Sequence, residues 1–221
     1  VSSEYQDKAH AEGMSVHEYL TELAAKQNVG EHGLLALDWH SGNRSVLVDQ
    51  RLSGLILGLT LQTKPEDQYR ALIEATAFGA RKIVETFNQN GVPVTEYVIS
   101  GGLIKNKMLM QIYSDVLNMP LSITVSKQGP ALGSAIHAAV AAGFYPDVIS
   151  AAKVMGKKIE KAYSPIPENV EAYNVIYDQY SKLHDYFGRL FGSNNETENH
   201  NPVMHYLKDI KDSVFKEKEG K

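Results

Sequence analysis

The sequence predicts an α/β fold in which short strands alternate with amphipathic helices and at least two strands run parallel. Apolar residues recur at helical spacing in a long segment that begins at Pro65. Leu121, Ile123 and Val125 alternate with polar residues, which is the period-two pattern of a strand. Two strand–helix units follow one another between residues 96 and 142, and this order favours parallel strands joined by right-handed crossovers.

The composition is that of a globular protein and excludes several classes of function. Of 221 residues, 43% are hydrophobic and 22% are charged. A net charge of −4 predicts no basic surface for nucleic acid, and the absence of cysteine excludes disulfides and thiolate metal sites. No apolar run approaches the roughly 20 residues that span a bilayer, and residues 1–10 lack the features of a signal peptide. We therefore expect a cytoplasmic protein with neither a membrane nor a nucleic-acid partner.

Residues 1–30 are predicted to form a helical lead-in. Ser15 followed by Glu18 is a capping box, so a helix is expected from about Ser15 to Lys26. The opening, which has no initiator Met and leads directly into this helix, suggests a cut inside a longer protein. After it, Leu34–Leu37 reads as a strand that ends in a polar loop.

The segment from residue 55 to residue 91 is expected to hold a buried strand or an extended segment, followed by the clearest helix of the chain. Leu55–Leu61 is an apolar run with one glycine, and Pro65 suits the first turn of the helix that follows. One apolar stripe defines that helix, formed by Tyr69, Ile73, Ala77, Ala80, Val84 and Phe87. Asn90-Gly91 is predicted to end it.

Residues 96–142 carry the two strand–helix units. A β-rich run, Glu96–Ser100, is broken by Gly101-Gly102 and followed by a helix whose apolar face is Leu109, Ile112, Val116 and Met119. The strand at Leu121 then leads into an alanine-rich helix, Ala131–Ala142, for which we expect tight packing.

The C-terminal part is predicted to be helical. Pro165 and Pro167 precede a long helix with an aromatic stripe of Tyr173, Tyr177, Tyr180, His184, Phe187 and Phe191. We expect one domain over residues 31–192, followed by a polar linker and a marginal helical tail over residues 193–221.

The adjacent glycines Gly101 and Gly102 are the first candidate for a binding site. Glycines at the carboxyl end of a strand let the backbone approach a flat or anionic ligand, and the next helix offers free N–H groups. A simple tight turn explains the same two residues, since short glycine motifs are weak indicators.

Two further segments are candidates. Residues 128–135 combine Pro130 with small residues at a loop-to-helix junction, which fits close backbone approach or ordinary helix packing. The loop of residues 38–44 offers hydrogen-bonding groups and one aromatic ring, a mixture that suits a sugar but also occurs in polar surface loops.

Taken in order, five motifs resemble the C-terminal half of the FGGY carbohydrate kinases, over about residues 34–188. The motifs are Asp38-Trp39-His40-Ser41-Gly42-Asn43-Arg44-Ser45, Gly58-Leu59-Thr60, Glu74-Ala75-Thr76-Ala77-Phe78, Ser100-Gly101-Gly102-Leu103 and Ala131-Leu132-Gly133-Ser134-Ala135. Within the family, the members that phosphorylate ribulose are similar to this chain in the first motif, in Tyr163–Pro167, and in Tyr180 with Leu183–Gly188.

This resemblance implies a ribonuclease-H-like, actin-like ATPase domain, incomplete at its start and extended by C-terminal helices. The expected partners of the intact enzyme are ATP, with Mg²⁺ arriving on the nucleotide, and a ketopentose. The nucleotide-binding residues carried over from the family are Gly101, Gly102, Leu103 and Asn106. The loop residues Trp39, Asn43 and Arg44 are expected near the substrates, facing the cleft between two domains.

The resemblance places no catalytic residue within this chain. Such kinases need an aspartate that takes the proton from the sugar hydroxyl, and in the family this residue lies upstream of the matched segment. Asp38 ends an apolar strand as a catalytic carboxylate could, but it aligns with a different family segment, which favours a structural role. The eight histidines show no ligand spacing, so no protein-bound metal is expected.

The leading interpretation is the ATP-binding part of a sugar kinase that is inactive by itself. A kinase for another sugar, such as xylulose or glycerol, and a non-catalytic nucleotide-binding or interaction module of the same fold stay open as alternatives. Because the missing part would leave a sheet edge uncovered, we also expect the chain to self-associate.

Overall fold

The computed structural model describes residues 2–189 and 202–219 and contains eight α-helices, five strands and one 3₁₀-helix within them. In chain order the helices and strands are α1 (Ser3–Ala11), α2 (Val16–Ala24), β1 (Leu35–Leu37), β2 (Leu55–Leu57), α3 (Pro65–Gln89), β3 (Tyr97–Ile99), the 3₁₀-helix (Gly102–Lys105), α4 (Lys107–Leu117), β4 (Leu121–Thr124), α5 (Gly129–Ala141), α6 (Val148–Met155), β5 (Lys158–Tyr163), α7 (Pro167–Gly188) and α8 (Pro202–Glu219). The mixed α/β class is confirmed. The linker predicted over residues 193–201 and the predicted stripe residue Phe191 lie outside the described residues.

The strands form two small sheets. β1 pairs antiparallel with β2, and a three-stranded sheet has the order β3-β4-β5. The predicted parallel pair is confirmed for β3 and β4, in which Tyr97 lies beside Leu121 and Ile99 beside Ile123. β5 runs antiparallel to β4, and the sequence did not predict it because its residues, KIEKAY, lack a clear apolar period.

The 25-residue helix α3 is the centre of the packing, and its limits match those predicted. Lys64 is its N-cap residue, Pro65 occupies the first turn, and Asn90 caps its end. Phe78, which is 1% exposed, packs against Tyr173, Tyr177 and Tyr180 of α7 with ring centroids 5.2–6.0 Å apart. The aromatic stripe predicted on α7 therefore faces the core.

Two predictions about packing are wrong. Of the two forms predicted for Leu55–Leu61, the buried strand is wrong, because β2 stops at Leu57 and the leucines at positions 57, 59 and 61 are all exposed. The alanine-rich helix α5 is not tightly enclosed, since Ile136 is its one buried residue. In both segments the sequence shows that the residues are apolar, but it does not show whether a neighbouring element buries their side chains.

Helix α8 packs against the loop that follows β1, although the sequence predicted a marginal tail. Met204 is 6% exposed and belongs to the same apolar cluster as Leu52 and Trp39. Arg51 contacts Asp209 at 2.5 Å, and Lys208 donates to the carbonyl of Gln50 at 2.7 Å. Within the described residues, no helix has both the length and the apolar character needed to cross a membrane.

Candidate functional site

The parallel pair β3 and β4 sets the position of the main candidate site. Because the two strands run the same way, the chain leaves both at one edge of the sheet, at Ser100 after β3 and at Val125 after β4. In open α/β sheets, ligands bind beyond this carboxyl edge. Gly101 has φ +94° and ψ −161°, a conformation that side chains rarely adopt, so glycine is required at this turn.

The turn is open on its outer side. A methyl group added at Gly101 or Gly102 would meet no other atom within 4 Å, and Leu103 is 57% exposed. The outer side of the turn therefore has room for a flat or anionic ligand, and binding of a nucleotide at these three residues stays a prediction.

The second candidate segment lies directly beside this turn. A methyl group added at Gly129, the first residue of α5, would lie 3.1 Å from Oγ and 3.2 Å from Cβ of Ser100. Glycine at this position therefore lets the first turn of α5 approach the end of β3. The unpaired N–H groups and positive dipole end of α5 consequently face the same region as the glycine turn.

Asn106 holds the other end of the junction. Its side-chain Oδ1 accepts the N–H of Leu109 at 3.0 Å and caps α4, while Nδ2 donates to Thr21 of α2 at 3.3 Å. Asn106 also lines a cavity of about 420 Å³ beside Lys105 and Tyr69. Both ends of its amide are engaged within the chain, so a direct contact with nucleotide remains a prediction.

The loop that follows β1 is only partly open. The Trp39 residue is 2% exposed, and its ring meets that of His184 edge-on with the centroids 5.4 Å apart. The ring therefore packs in the core and is not accessible to a ligand from solvent. Asn43 is buried, and its Oδ1 accepts the N–H of Leu47 at 3.1 Å. Arg44 is exposed at the rim of an apolar groove. Of the three residues expected near the substrates, Arg44 alone presents its side chain to solvent.

Asp38 is a half-buried carboxylate at the end of β1, near Gly79 of α3 and Tyr180 of α7. Burial raises the pKa of this carboxyl, and the nearby His40 lowers it to a smaller extent. A methyl group on Gly79 would lie about equally far from Asp38 Oδ1 and from the Tyr180 hydroxyl, at 4.0 and 3.7 Å. Burial therefore disfavours the ionised form of Asp38, and its position at the end of β1 is compatible with the structural role that the sequence favours.

A buried polar network inside the core was not predicted. Glu74, 1% exposed, accepts from Arg70 at 2.8 Å and from the Tyr173 hydroxyl at 2.9 Å, and it contacts His32 at 3.0 Å. The four-residue spacing of Arg70 and Glu74 could have indicated the ion pair. Nothing in the sequence places His32 beside them, since 42 residues separate it from Glu74.

No group of three or more potential metal ligands occurs in the parts of the chain that the structure describes. The candidate site around Gly101-Gly102 consists of backbone, helix ends and a few polar side chains.

Comparisons with known proteins identify the family of this chain. Residues 2–142 match the model of the C-terminal domain of the FGGY family of carbohydrate kinases. The chain is 58% identical over 208 residues to a protein named ribulokinase from Mycolicibacterium smegmatis and 53% identical over 220 residues to one from Geobacillus thermodenitrificans. These matches cover 94% and 97% of this chain but 35% and 37% of the relatives.

Solved structures give the same fold. A xylulose kinase from Rhodospirillum rubrum is 28% identical with a TM-score of 0.63, and the match covers 76% of this chain and 33% of that one. A gluconate kinase from Lactobacillus acidophilus, 20% identical, has a TM-score of 0.68 over 77% of this chain and 34% of that one. The predicted actin-like ATPase fold is thus confirmed, and the chain spans little more than a third of the length of the relatives it matches. This chain belongs to the FGGY family of carbohydrate kinases and corresponds to its C-terminal domain.

Proposed function

We propose that this chain is the nucleotide-binding part of an ATP-dependent kinase that converts ribulose to ribulose 5-phosphate. The observation that carries the proposal is the open, side-chain-free turn at Gly101-Gly102, located where two parallel strands end. The adenosine of ATP would lie against this turn, with Leu103 and Asn106 beside it, and the phosphates toward the positive end of α5. Mg²⁺ would arrive with the phosphates of ATP and neutralise part of their charge.

Ribulose is favoured over other sugars by the relatives. The proteins that are 53–58% identical over nearly the whole chain carry the name ribulokinase, whereas the xylulose kinase from Rhodospirillum rubrum is 28% identical. A kinase for xylulose or glycerol is therefore the weaker candidate, and the loop with Trp39, Asn43 and Arg44 would contribute to the substrate side of the cleft.

Turnover is not expected from the chain by itself. The general base that accepts the proton of the sugar hydroxyl would come from the part of the enzyme that precedes this domain, along with most of the sugar site. The chain would then bind nucleotide weakly without hydrolysing it. Release of phosphate from MgATP above background that disappears in Asp38→Asn would contradict this division and assign Asp38 a catalytic role.

Calorimetric titration of MgATP tests the nucleotide site. Gly102→Val should fold normally, because a Cβ at this position would meet no other atom within 4 Å, yet the side chain should fill the surface against which the adenosine would lie. We expect about a tenfold or greater loss of affinity, equivalent to ~1.4 kcal/mol. Ala138→Val, an exposed position on α5, adds similar bulk and should leave the affinity unchanged. Equal affinity of Gly102→Val and the wild type for MgATP would show that the nucleotide does not bind at this turn.

A further inference from the structure

Helix α8 and the loop of residues 40–53 enclose a cavity of about 430 Å³ that lies outside the glycine junction. This volume is within the range of roughly 300–1,000 Å³ that small-molecule sites occupy. The loop supplies one wall and α8 the other, so the cavity exists only while the helix is docked.

The walls of this cavity are strongly biased in charge. Arg51, Lys208 and Lys211 line it, and its lining residues include no aspartate or glutamate. Asp209 neutralises Arg51 through the 2.5 Å contact. Lys208 donates to the neutral carbonyl of Gln50. Two cationic side chains therefore face the cavity without a carboxylate partner in the described part of the chain.

The cavity also offers neutral hydrogen-bond donors. The hydroxyls of Ser41 and Ser53 form no described hydrogen bond within the chain, and both residues line the cavity. His40 lies at the same wall, with its ring packed over Gly54, where an added methyl group would come within 2.6 Å of Nδ1. Ammonium groups, hydroxyls and an imidazole around one space are the donors that bind phosphate oxygens.

We propose that this cavity is a binding site for a phosphate group, either inorganic phosphate or a phosphate monoester. The oxygens would bridge Lys208 and Lys211 on α8 to Ser41 and Ser53 on the loop. Binding would therefore clamp α8 onto the loop that follows β1 and stabilise its docked position by mass action. The site does not depend on the nucleotide site proposed above.

Titration with inorganic phosphate, at constant ionic strength maintained with chloride, tests the site. Hydrogen exchange of α8 and of residues 40–53 is the readout, and phosphate should slow exchange in both segments together. Lys211→Met keeps the length of the side chain but removes the charge, and Lys211 makes no described contact with the loop, so α8 should stay docked. We expect the apparent Kd for phosphate to rise about tenfold in this variant.

Matched controls separate this site from nonspecific attraction. Lys153→Met on α6 changes the net charge equally at an exposed position elsewhere and should leave the phosphate affinity unchanged. Gly102→Val should also retain phosphate binding, since the nucleotide junction is separate. A parallel titration with ribose 5-phosphate shows whether the monoester or the free anion is preferred.

Three results would overturn the proposal. They are no phosphate-dependent protection of α8 in the wild type, equal affinity in Lys211→Met and wild type, and an equal loss in Lys153→Met. If Gly102→Val lost phosphate binding while Lys211→Met kept its affinity for phosphate, the anion would bind at the Gly101-Gly102 turn instead.

Discussion

Arg70 and Glu74, one turn apart on α3, form an ion pair of 2.8 Å whose side chains are only 6% and 2% exposed. Nη1 of Arg70 donates to the carbonyls of Ala24 and Gln27, so the guanidinium also connects the end of α2 to α3, and Nη2 donates to the Tyr173 hydroxyl at 3.3 Å. His32 and Tyr173 complete the surroundings of the carboxylate. The pair therefore connects the N-terminal helices, α3 and α7 through one buried site.

Removal of the Glu74 carboxylate should destabilise the chain severely. Glu74→Ala leaves the Arg70 guanidinium buried without its anion, which typically costs about 3–5 kcal/mol of unfolding free energy. Urea denaturation followed by circular dichroism measures the change. Glu4→Ala breaks a pair of the same i, i+4 spacing, Lys8–Glu4 at 2.7 Å, in solvent and should have no measurable effect. Similar unfolding midpoints for the two variants would show that the buried network contributes little.

Stability should fall in acid because of the same carboxylate. Burial acts to raise the pKa of Glu74, but the hydrogen bonds and charges of His32 and Arg70 outweigh burial, and the pKa lies below its ordinary value. Because the pKa is lower in the folded state, the Glu74 carboxylate makes its full contribution to the unfolding free energy above the unfolded-state pKa of about 4.3. This contribution is lost as the pH falls through the folded-state pKa. The gap in unfolding free energy between wild type and Glu74→Gln should accordingly narrow below about pH 4. A gap that is constant down to the folded-state pKa would be inconsistent with an ionised Glu74.

The ionised carboxylate of Asp38 should have the opposite effect on the unfolding free energy. Burial raises its pKa, so the ionised carboxylate is disfavoured in the folded state and lowers stability at neutral pH. Asp38→Asn, which has the same shape without the charge, should therefore be more stable than wild type at neutral pH. The advantage should disappear as the pH falls below the unfolded pKa of about 3.9. Thermal melts at several pH values test this, and an Asn variant that is less stable at neutral pH would indicate a contact that favours the charged form.

Ser100 and Gly129 should be coupled in a double-mutant cycle. Gly129→Ala improves helix propensity by up to about 1 kcal/mol, but its methyl group would press on the Ser100 side chain at 3.1–3.2 Å. In the Ser100→Gly background that obstacle is gone, so Gly129→Ala should be more favourable there than in the wild type. The unfolding free energies of the four proteins measure the coupling. Strict additivity would mean that the start of α5 does not lie against the end of β3 in solution.

The sequence was most informative where local chemistry decides the structure. The Ser15–Glu18 capping box and the limits of α3 follow from capping residues and hydrophobic period, and both are confirmed. The parallel pairing of β3 with β4 follows from the order of the strand–helix units and is also confirmed. The exposure of Leu55–Leu61 could not be predicted, because it depends on which element lies next to β2. The approach of Gly129 to Ser100 and the packing of Met204 beside Leu52 could not be predicted either. These residues are far apart in the sequence, and long-range contacts leave no periodic pattern in it.

The exposed leucines after β2 should make the chain self-associate. Leu57 and Leu59 are each 54% exposed and Leu61 is fully exposed, while β2 pairs on one side only, with β1, in the described structure. An open strand edge next to apolar side chains is a template for pairing with another copy. Light scattering should therefore show an average mass that rises with protein concentration in the micromolar range.

The double variant Leu59→Lys/Leu61→Lys should bring the mass down to that of a monomer, because charge at an edge opposes pairing. Phe144→Lys, which also replaces an exposed apolar residue but lies far along the chain from β2, is the matched control and should still associate. A wild type that remains monomeric at all concentrations would contradict the prediction, and association that persists in the double variant would exclude this edge as the contact.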